Sequence, residues 1–279
     1  MQAGEICHRT VTALLYAVPR PPVLKIAISK MRYAIYYAAD ADDQLSQLGN
    51  SWLGRDPFTG RELEMPTIAG LSRQRFSELT SSPRRYGFHG TLKAPFSLGQ
   101  EESEAALLAA CNEFAKTLKP FELQSLDVNR LDKFLALTPT QEEPELRAFA
   151  GMCVRYFDGF RAPLVDADLQ RRRKSGLTPV QDAHLVDWGY PYVFDEFRFH
   201  MTLSIRLENE AEADLMASAA KAHFSNVTGR PRQCRHFALY EEPEQGAPFQ
   251  IKKLFELTGD LTPTQAQNHA DRPTRKEKA

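Results

Sequence analysis

The chain has 279 residues, 42% of them hydrophobic and 25% charged, with a formal net charge of −1. This composition is typical of an ordinary globular protein, and the near-neutral charge argues against a general attraction to nucleic acid or to an anionic membrane surface. No stretch approaches the roughly 20 consecutive apolar residues that a membrane-spanning helix needs, so no membrane partner is expected. An anionic ligand is therefore expected to be small, or to be bound by a local basic cleft.

The cysteines and the N-terminal region bear on cellular location. The sequence has four widely spaced cysteines without a Cys-x-x-Cys pair: Cys7, Cys111, Cys153 and Cys234. This spacing disfavours both a zinc framework and a dense disulfide scaffold. We expect reduced, mostly buried thiols in a cytoplasmic protein that needs neither cofactor nor metal. Residues 1–30 are interpreted as an N-terminal extension, flexible or upstream of a working start at Met31, because a strand-like segment follows Met31 directly.

Hydrophobic periodicity and turn residues predict the elements of the first half of the chain. In chain order they are a strand over 32–38, a short helix or loop over 45–53, a helix over 71–79 ended by Ser81-Ser82-Pro83, a strand over 86–96, a helix over 101–118, and strands over 121–128 and 130–137 that could form a hairpin. The acidic start and apolar stripe of the 101–118 segment are typical of an amphipathic helix.

The second half repeats this pattern. Its predicted elements are helices over 144–157, 166–175 and 179–188, a strand over 197–207, a helix over 210–224, and strands over 233–240 and 249–257. Each half has one strand followed by a helix and a strand pair, which predicts an α+β, bilobal fold with two antiparallel-rich sheets flanking a central cleft and helices outside. The folded domain is expected to span 31–258, and 259–279 to form a disordered polar tail.

One short motif occurs in both halves. Phe88-His89-Gly90-Thr91-Leu92 lies in the first predicted motif strand and Phe199-His200-Met201-Thr202-Leu203 in the second, with the histidines 111 positions apart. Side chains of a strand alternate between its two faces. Each motif strand is therefore expected to carry a polar row opposite an apolar row.

The polar rows suit phosphoryl chemistry. His89, Thr91 and Lys93 share one row, and Arg198, His200, Thr202 and Ser204 share the other. One neutral histidine can accept a proton while the other, charged, donates one. Threonine hydroxyls can donate hydrogen bonds to phosphoryl oxygens, and Lys93 and Arg198 can offset the charge of a transition state. Which histidine is base and which is acid is left open, and Tyr86, next to the first motif, is a further candidate for substrate binding.

The paired His-x-Thr motifs resemble those of the 2H phosphoesterase superfamily. More narrowly, the segments 32–36, 51–56, 85–96 and 188–203 resemble an uncharacterised family encoded in phosphonate-utilisation operons, and the resemblance covers about residues 31–258. It implies a bilobal, pseudo-symmetric fold, catalysis by His89 and His200, and a substrate loop that includes Arg55. It also implies a small phosphorylated substrate, such as a sugar cyclic phosphate.

Two alternative functions stay open. The chain could be an RNA-end or 2′,5′-phosphodiesterase or ligase-like enzyme, although its near-neutral charge makes RNA the less favoured partner. It could also be a non-catalytic module that binds a phosphorylated ligand, although two intact histidine motifs disfavour this. The oligomeric state and the identity of the substrate do not follow from the sequence.

Overall fold

A computed structural model describes residues 31–270 of the chain. Its strands are β1 (Arg32–Tyr37), β2 (Gly90–Phe96), β3 (Phe121–Leu123), β4 (Leu126–Leu131), β5 (Phe134–Pro139), β6 (Met201–Thr202), β7 (Arg232–Cys234), β8 (His236–Glu242) and β9 (Gln250–Glu256). Its α-helices are α1 (Gln44–Leu53), α2 (Arg73–Leu79), α3 (Ser81–Tyr86), α4 (Glu104–Ala115), α5 (Pro144–Tyr156), α6 (Asp166–Arg173), α7 (Pro179–Trp188), α8 (Glu210–Phe224) and α9 (Pro263–Ala270).

Two antiparallel sheets organise the described part of the chain. The first has the strand order β2-β1-β8-β9, and the second has the order β4-β5-β6. A short antiparallel pair joins β3 to β7. The predicted α+β class with antiparallel sheets is confirmed. Both motif strands, β2 and β6, are edge strands of their sheets and contact each other, which places the two motifs at the junction between the sheets.

The two sheets do not follow the two halves of the sequence. The first sheet combines the two earliest strands, β1 and β2, with the two latest, β8 and β9. Ala34 pairs with Tyr240 and Ile35 with Leu239, so the N-terminal strand lies in the middle of this sheet. Strands β2 and β8 pair with the two sides of β1, and almost all side chains of β1 are buried. Such a strand is hydrophobic on both faces and shows no polar alternation that would reveal its partners.

Several helices begin and end where local signals indicate. The Asp43 side chain accepts a hydrogen bond from the Leu45 N–H at the start of α1, and Gly54 ends that helix in the left-handed conformation. Helix α7 has a capping box, in which Thr178 and Gln181 satisfy each other's backbone N–H groups. Helices α7 and α8 have the predicted bounds.

The predicted motif strands are both too long. Residues 86–89 do not extend β2, because Tyr86 ends α3 and Gly87 has a φ of 77°. Pro83 was predicted only to end the preceding helix. It lies in the first turn of α3, where its missing N–H removes no hydrogen bond of the helix, so it is also compatible with a helix start. The strand predicted over 197–207 is regular only at Met201–Thr202. Beyond it, the Ser204 Oγ accepts the Leu135 N–H, at 2.9 Å, in place of a backbone carbonyl.

The prediction of a disordered tail over 259–279 is wrong for residues 259–270. Helix α9 packs against α5, and the Thr264 N–H and hydroxyl both donate to the Glu145 carboxylate, at 2.9 and 2.6 Å. Thr262 and Gln265 exchange hydrogen bonds at the start of α9, as in a capping box. This Thr-Pro-Thr-Gln signal is present in the sequence. Residues 271–279 and the predicted extension 1–30 lie outside the described residues.

Most buried apolar side chains form one core between the sheets and the helices. A smaller cluster around Tyr36, Tyr240 and Phe249 lies on the other face of the first sheet. Cys111, Cys153 and Cys234 are buried free thiols, as predicted for them, and burial raises the pKa of each. Within residues 31–270, every helix is too short or too polar to cross a membrane.

Candidate active site

His89 lies in the short connection between α3 and β2. Its Nδ1 is 2.9 Å from the carbonyl oxygen of Gly87, two residues earlier. The Tyr36 ring stacks on the imidazole, with a centroid distance of 3.9 Å and an interplanar angle of 23°. Gly87, whose carbonyl meets the histidine, has a positive φ of 77°, and a Cβ there would be 2.8 Å from Pro57.

His200 directly precedes β6 and repeats this arrangement. Its Nδ1 is 2.8 Å from the carbonyl oxygen of Arg198, again two residues earlier. The ring of Phe134, at the start of β5, meets the imidazole edge to face at a centroid distance of 5.8 Å. Both histidines are half-buried.

The two hydrogen bonds define the tautomer of each histidine. A carbonyl oxygen can only accept, so Nδ1 must carry the hydrogen in both rings. Nε2 is then the nitrogen that can accept a proton in the neutral ring or donate one in the charged ring. No residue between 31 and 270 forms a hydrogen bond with Nε2 of His89 or of His200. Both histidines are therefore held in one orientation with the reactive nitrogen free.

The pKa of His89 is shifted by its surroundings. Burial lowers the pKa of His89 from 6.5 to about 4, the hydrogen bond to Gly87 opposes this, and positive charge on His200 lowers the pKa further. Burial is the largest of these three effects and the charge of His200 the smallest. His89 is therefore neutral at pH 7, with a lone pair on Nε2.

A cavity of about 510 Å³ opens beside His200 between the two sheets. Its wall is formed by β2, the β4–β5 turn and the segment from α7 to β6. The lining residues are Thr91, Leu92, Ala94, Leu131, Asp132, Phe134, Gln181, Tyr190, Tyr192, Val193, Glu196, Phe197, Arg198 and His200. Apolar surface dominates, with a few polar groups among it, which is typical of a small-molecule site.

Gly90 allows the two motifs to approach each other. A Cβ at Gly90 would overlap the Phe199 ring, the residue before His200. The Phe199 ring also meets Tyr37 edge to face, at 5.7 Å, so it is held from a second side. Gly90 of the first motif and Phe199 of the second therefore pack directly against each other where the two motifs meet.

Four of the residues predicted to bind substrate lie at or near this junction. Thr91 and Arg198 line the cavity, and Arg198 is exposed. Thr202 is half-buried on β6, opposite Ala136 of β5. The Tyr86 ring is 6.1 Å from His89, stacks on Phe249 and accepts a hydrogen bond from Arg85. Their roles in binding stay predictions.

Lys93 does not have the expected position on the face of His89 and Thr91. Irregular pairing between β1 and β2 breaks the alternation, because Tyr36 pairs with Thr91 while Ile35 pairs with Lys93. The Lys93 ammonium is buried and donates to Asp158, at 2.8 Å, and to the Val154 carbonyl. It lines a second, neighbouring cavity.

Arg55 and Ser204 are also placed differently from the prediction. The buried Arg55 guanidinium donates to the backbone carbonyls of Phe249, at 2.6 Å, and Arg84, and burial lowers its pKa. The Ser204 hydroxyl is buried, accepts from the Leu135 N–H and donates to the Ile205 carbonyl. Both side chains connect backbone segments and neither lines the cavity, so this placement disfavours the predicted contact with substrate, which stays a prediction.

Other site residues carry no motif that sequence reasoning could recognise. Tyr36, which stacks on His89, looks like any aromatic residue of a buried strand. Asp132, Gln181 and Glu196 reach the cavity from a turn, a helix and a loop that are far apart in the chain. Only the packing of the two sheets brings them together.

Comparison with known proteins shows the family of this chain. Residues 91–250 match the model of the family described as "Protein of unknown function (DUF1045)", and the chain belongs to this family. The chain is 40% identical over 233 residues to a Janthinobacterium sp. (strain Marseille) protein named "Ribose 1,5-bisphosphate phosphokinase PhnN". A protein of the same name from Laribacter hongkongensis (strain HLHK9) is 34% identical over 224 residues. The matches cover 82% and 80% of this chain, which spans about half the length, 51%, of both relatives.

The chain is also similar to solved structures of phosphoesterases, at low sequence identity. A structure titled as a phosphoesterase aligns with a TM-score of 0.37 and 15% identity, and covers 82% of this chain and 99% of its own. E. coli LigT with 3′-AMP aligns with a TM-score of 0.39 and 15% identity, over 82% and 99% of the chains. TT0787 of Thermus thermophilus gives a TM-score of 0.40 and 14% identity, over 82% and 100%.

Proposed function

We propose that this protein is a 2H-type phosphoesterase that hydrolyses a small cyclic phosphodiester with His89 and His200 as an acid–base pair. The observation that supports this most directly is the matched anchoring of the two histidines, each with Nδ1 bound to a carbonyl and Nε2 free. The contact between β2 and β6, with Gly90 against the Phe199 ring, supports a site shared by the two motifs. The proposed enzyme acts in the cytoplasm and needs neither metal nor cofactor.

The proposed reaction opens the phosphate ring by in-line attack. Neutral His89 takes a proton from water at Nε2 as the water oxygen forms a bond with phosphorus. The bond from phosphorus to one ring oxygen breaks, and His200 protonates that oxygen from its own Nε2. The product is a phosphomonoester beside a free hydroxyl, so one water molecule has been added. Thr91 and Thr202 bind the phosphoryl oxygens, and Arg198 offsets the charge that develops there.

A sugar cyclic phosphate is the proposed substrate, in phosphonate breakdown. The apolar cavity wall suits the carbon face of a ring, and its volume of about 510 Å³ suits a small molecule. Two relatives are named for ribose 1,5-bisphosphate, which points to a phosphorylated ribose. The kinase activity in that name is not proposed for this chain, which lacks a P-loop motif and spans half of those proteins.

The test is hydrolysis of a panel of cyclic phosphates in EDTA, with the double variant His89→Ala/His200→Ala as the blank. The panel contains ribose 1,2-cyclic phosphate, its 5-phosphate and the four 2′,3′-cyclic nucleotides. We expect turnover of a sugar cyclic phosphate that the blank lacks. Turnover that persists in the blank would refute the proposal. Ligand binding without any turnover would favour the alternative of a non-catalytic phospho-ligand module.

A second candidate is a phosphodiesterase that acts on RNA ends or 2′,5′-linked nucleotides. It is favoured by the aromatic side chains along the cavity wall, Phe134, Tyr190, Tyr192 and Phe197, on which a nucleobase could stack. Preferred turnover of the 2′,3′-cyclic nucleotides, with an affinity for oligonucleotides that falls steeply with salt, would support it over the sugar phosphate.

A further inference from the structure

A second cavity, of about 270 Å³, adjoins the one beside His200. Ala94, Tyr190 and Val193 line both cavities, so the Tyr190 ring forms part of a shared wall. The second cavity is bounded by β2, the connection over 161–165 and helix α6. Neither histidine lines it, and the proposed hydrolysis does not use it.

This second cavity is rich in positive charge. The cationic residues that line it are Arg32, Lys93, Arg161, Arg171 and Arg172. Within residues 31–270, three carboxylates pair with these five cations: Glu242 with Arg32, Asp158 with both Lys93 and Arg161, and Asp168 with Arg171. Two positive charges are therefore left without a carboxylate of their own.

Arg172 is the cation with the fewest partners. No carboxylate in the described residues lies within ion-pair distance of it, and its guanidinium lies over the Tyr190 ring at 5.4 Å. Its Nε is inaccessible to solvent and has no hydrogen-bond partner. An unpaired charged group shielded from water costs free energy, and an anion bound beside this guanidinium would offset its charge. Burial also lowers the pKa of this guanidinium.

We propose that the cavity around Arg172 binds a second phosphate group, a phosphomonoester, of the same substrate whose cyclic phosphate is hydrolysed between His89 and His200. This inference rests on the proposed function and narrows its substrate class to cyclic phosphates that carry a further phosphate. A guanidinium presents its N–H groups in a planar fork that matches phosphate oxygens, which favours phosphate over a single-point anion. Ala94, Tyr190 and Val193 line both cavities, so the two adjoin, and the proposed substrate extends from one to the other.

The first experiment measures selectivity for the second phosphate. We compare kcat/KM for ribose 1,2-cyclic phosphate and for its 5-phosphate in the wild type, Arg172→Gln and Arg172→Lys. The wild type is expected to prefer the 5-phosphate at least tenfold, and Arg172→Gln to reduce that preference about tenfold, the usual effect of one charge-assisted hydrogen bond. Arg172→Lys, which keeps the positive charge, should retain part of the preference for the 5-phosphate.

Arg173 provides the matched control. It is the next residue of α6, but it points elsewhere and pairs with Asp182 at 2.6 Å. Arg173→Gln removes the same charge and is expected to keep the wild-type preference. Equal loss of preference in both variants, or a wild type without preference for the 5-phosphate, would overturn the proposal.

A binding measurement separates this inference from the proposed function. Calorimetry with inorganic phosphate is run on the double variant His89→Ala/His200→Ala, alone and combined with Arg172→Gln or Arg173→Gln. Saturable binding that only Arg172→Gln abolishes would support the second site even if no cyclic phosphate is turned over. Turnover of cyclic phosphates, with phosphate binding that does not depend on Arg172, would refute the second site and leave the proposed function standing.

Discussion

The two histidine motifs can be compared residue by residue. Both anchor Nδ1 to the carbonyl two residues earlier, at 2.9 Å for His89 and 2.8 Å for His200. The aromatic neighbours of the two histidines differ. Tyr36 stacks on His89, whereas Phe134 meets His200 edge to face. His200 lines the large cavity beside the β4–β5 turn.

This difference indicates a division of roles that the repeated sequence conceals. The pKa of His89 is lowered to about 4, so at neutral pH this ring is the one ready to accept a proton. In the proposed mechanism His89 is therefore the base and His200 the acid in the hydrolytic direction. In that mechanism identical motifs perform opposite steps, because the aromatic neighbours of the two histidines differ.

The largest expected effect is on the rate, when either histidine is removed. His89→Ala and His200→Ala should each lower kcat by about 10²- to 10⁴-fold, the range for a positioned acid or base. The double variant should be little worse than either single one, because the two groups act in one step. Steady-state kinetics on the substrate identified by the panel checks this.

His223→Ala is the control for the histidine variants. His223 is also half-buried, also bonds a backbone carbonyl, that of Leu48 at 2.9 Å, and also has a pKa lowered by burial. It lies on α8, away from the junction of the motifs. A rate loss in His223→Ala as large as in His89→Ala would mean that destabilisation, not chemistry, causes the effect.

The next effect concerns the contact between the motifs. Gly90→Ala introduces a Cβ that overlaps the Phe199 ring, so the two edge strands must move apart. We expect the stability to fall by about 1–3 kcal/mol, as for other overpacked sites. Activity should fall at least about tenfold, since a small misplacement of catalytic groups is costly. Urea denaturation and kinetics on the same preparation measure both.

Gly159→Ala is the matched substitution for that test. A Cβ at Gly159 has no atom within 4 Å, and its backbone is not in the left-handed region. It should change neither stability nor kcat appreciably. If Gly90→Ala behaved like Gly159→Ala, the close approach of the two motifs would not matter for the reaction.

A third effect concerns pH. With a pKa of about 4, His89 stays neutral until the pH falls through that value, so the acidic limb of kcat/KM should lie near pH 4. Tyr36→Val removes the stacked ring, admits water and should move that limb toward the ordinary histidine value of about 6.5. Tyr36→Phe keeps the ring and should leave the limb in place. A limb that stays near pH 4 in Tyr36→Val would show that this stacking does not set the pKa.

The sequence was sufficient to find the two histidine motifs but not the side chains that surround them. A repeated His-x-Thr motif can be recognised without a structure, and the α+β class follows from periodicity. The positions of Lys93, Arg55 and Ser204 could not be predicted, because each depends on a contact with a distant segment. Irregular strand pairing at Lys93 in particular has no local signature, whereas period-2 reasoning assumes a regular strand.

The smallest effect tests one of these corrected positions. Ser204 lies on the second motif strand, two residues beyond Thr202, yet its hydroxyl accepts the Leu135 N–H. Ser204→Ala leaves that buried donor without its partner and should lower the free energy of unfolding by about 1–3 kcal/mol. Because the hydroxyl faces away from the cavity, KM should change less than about twofold. Thermal unfolding and kinetics check this, and a large rise in KM without loss of stability would return Ser204 to the substrate site.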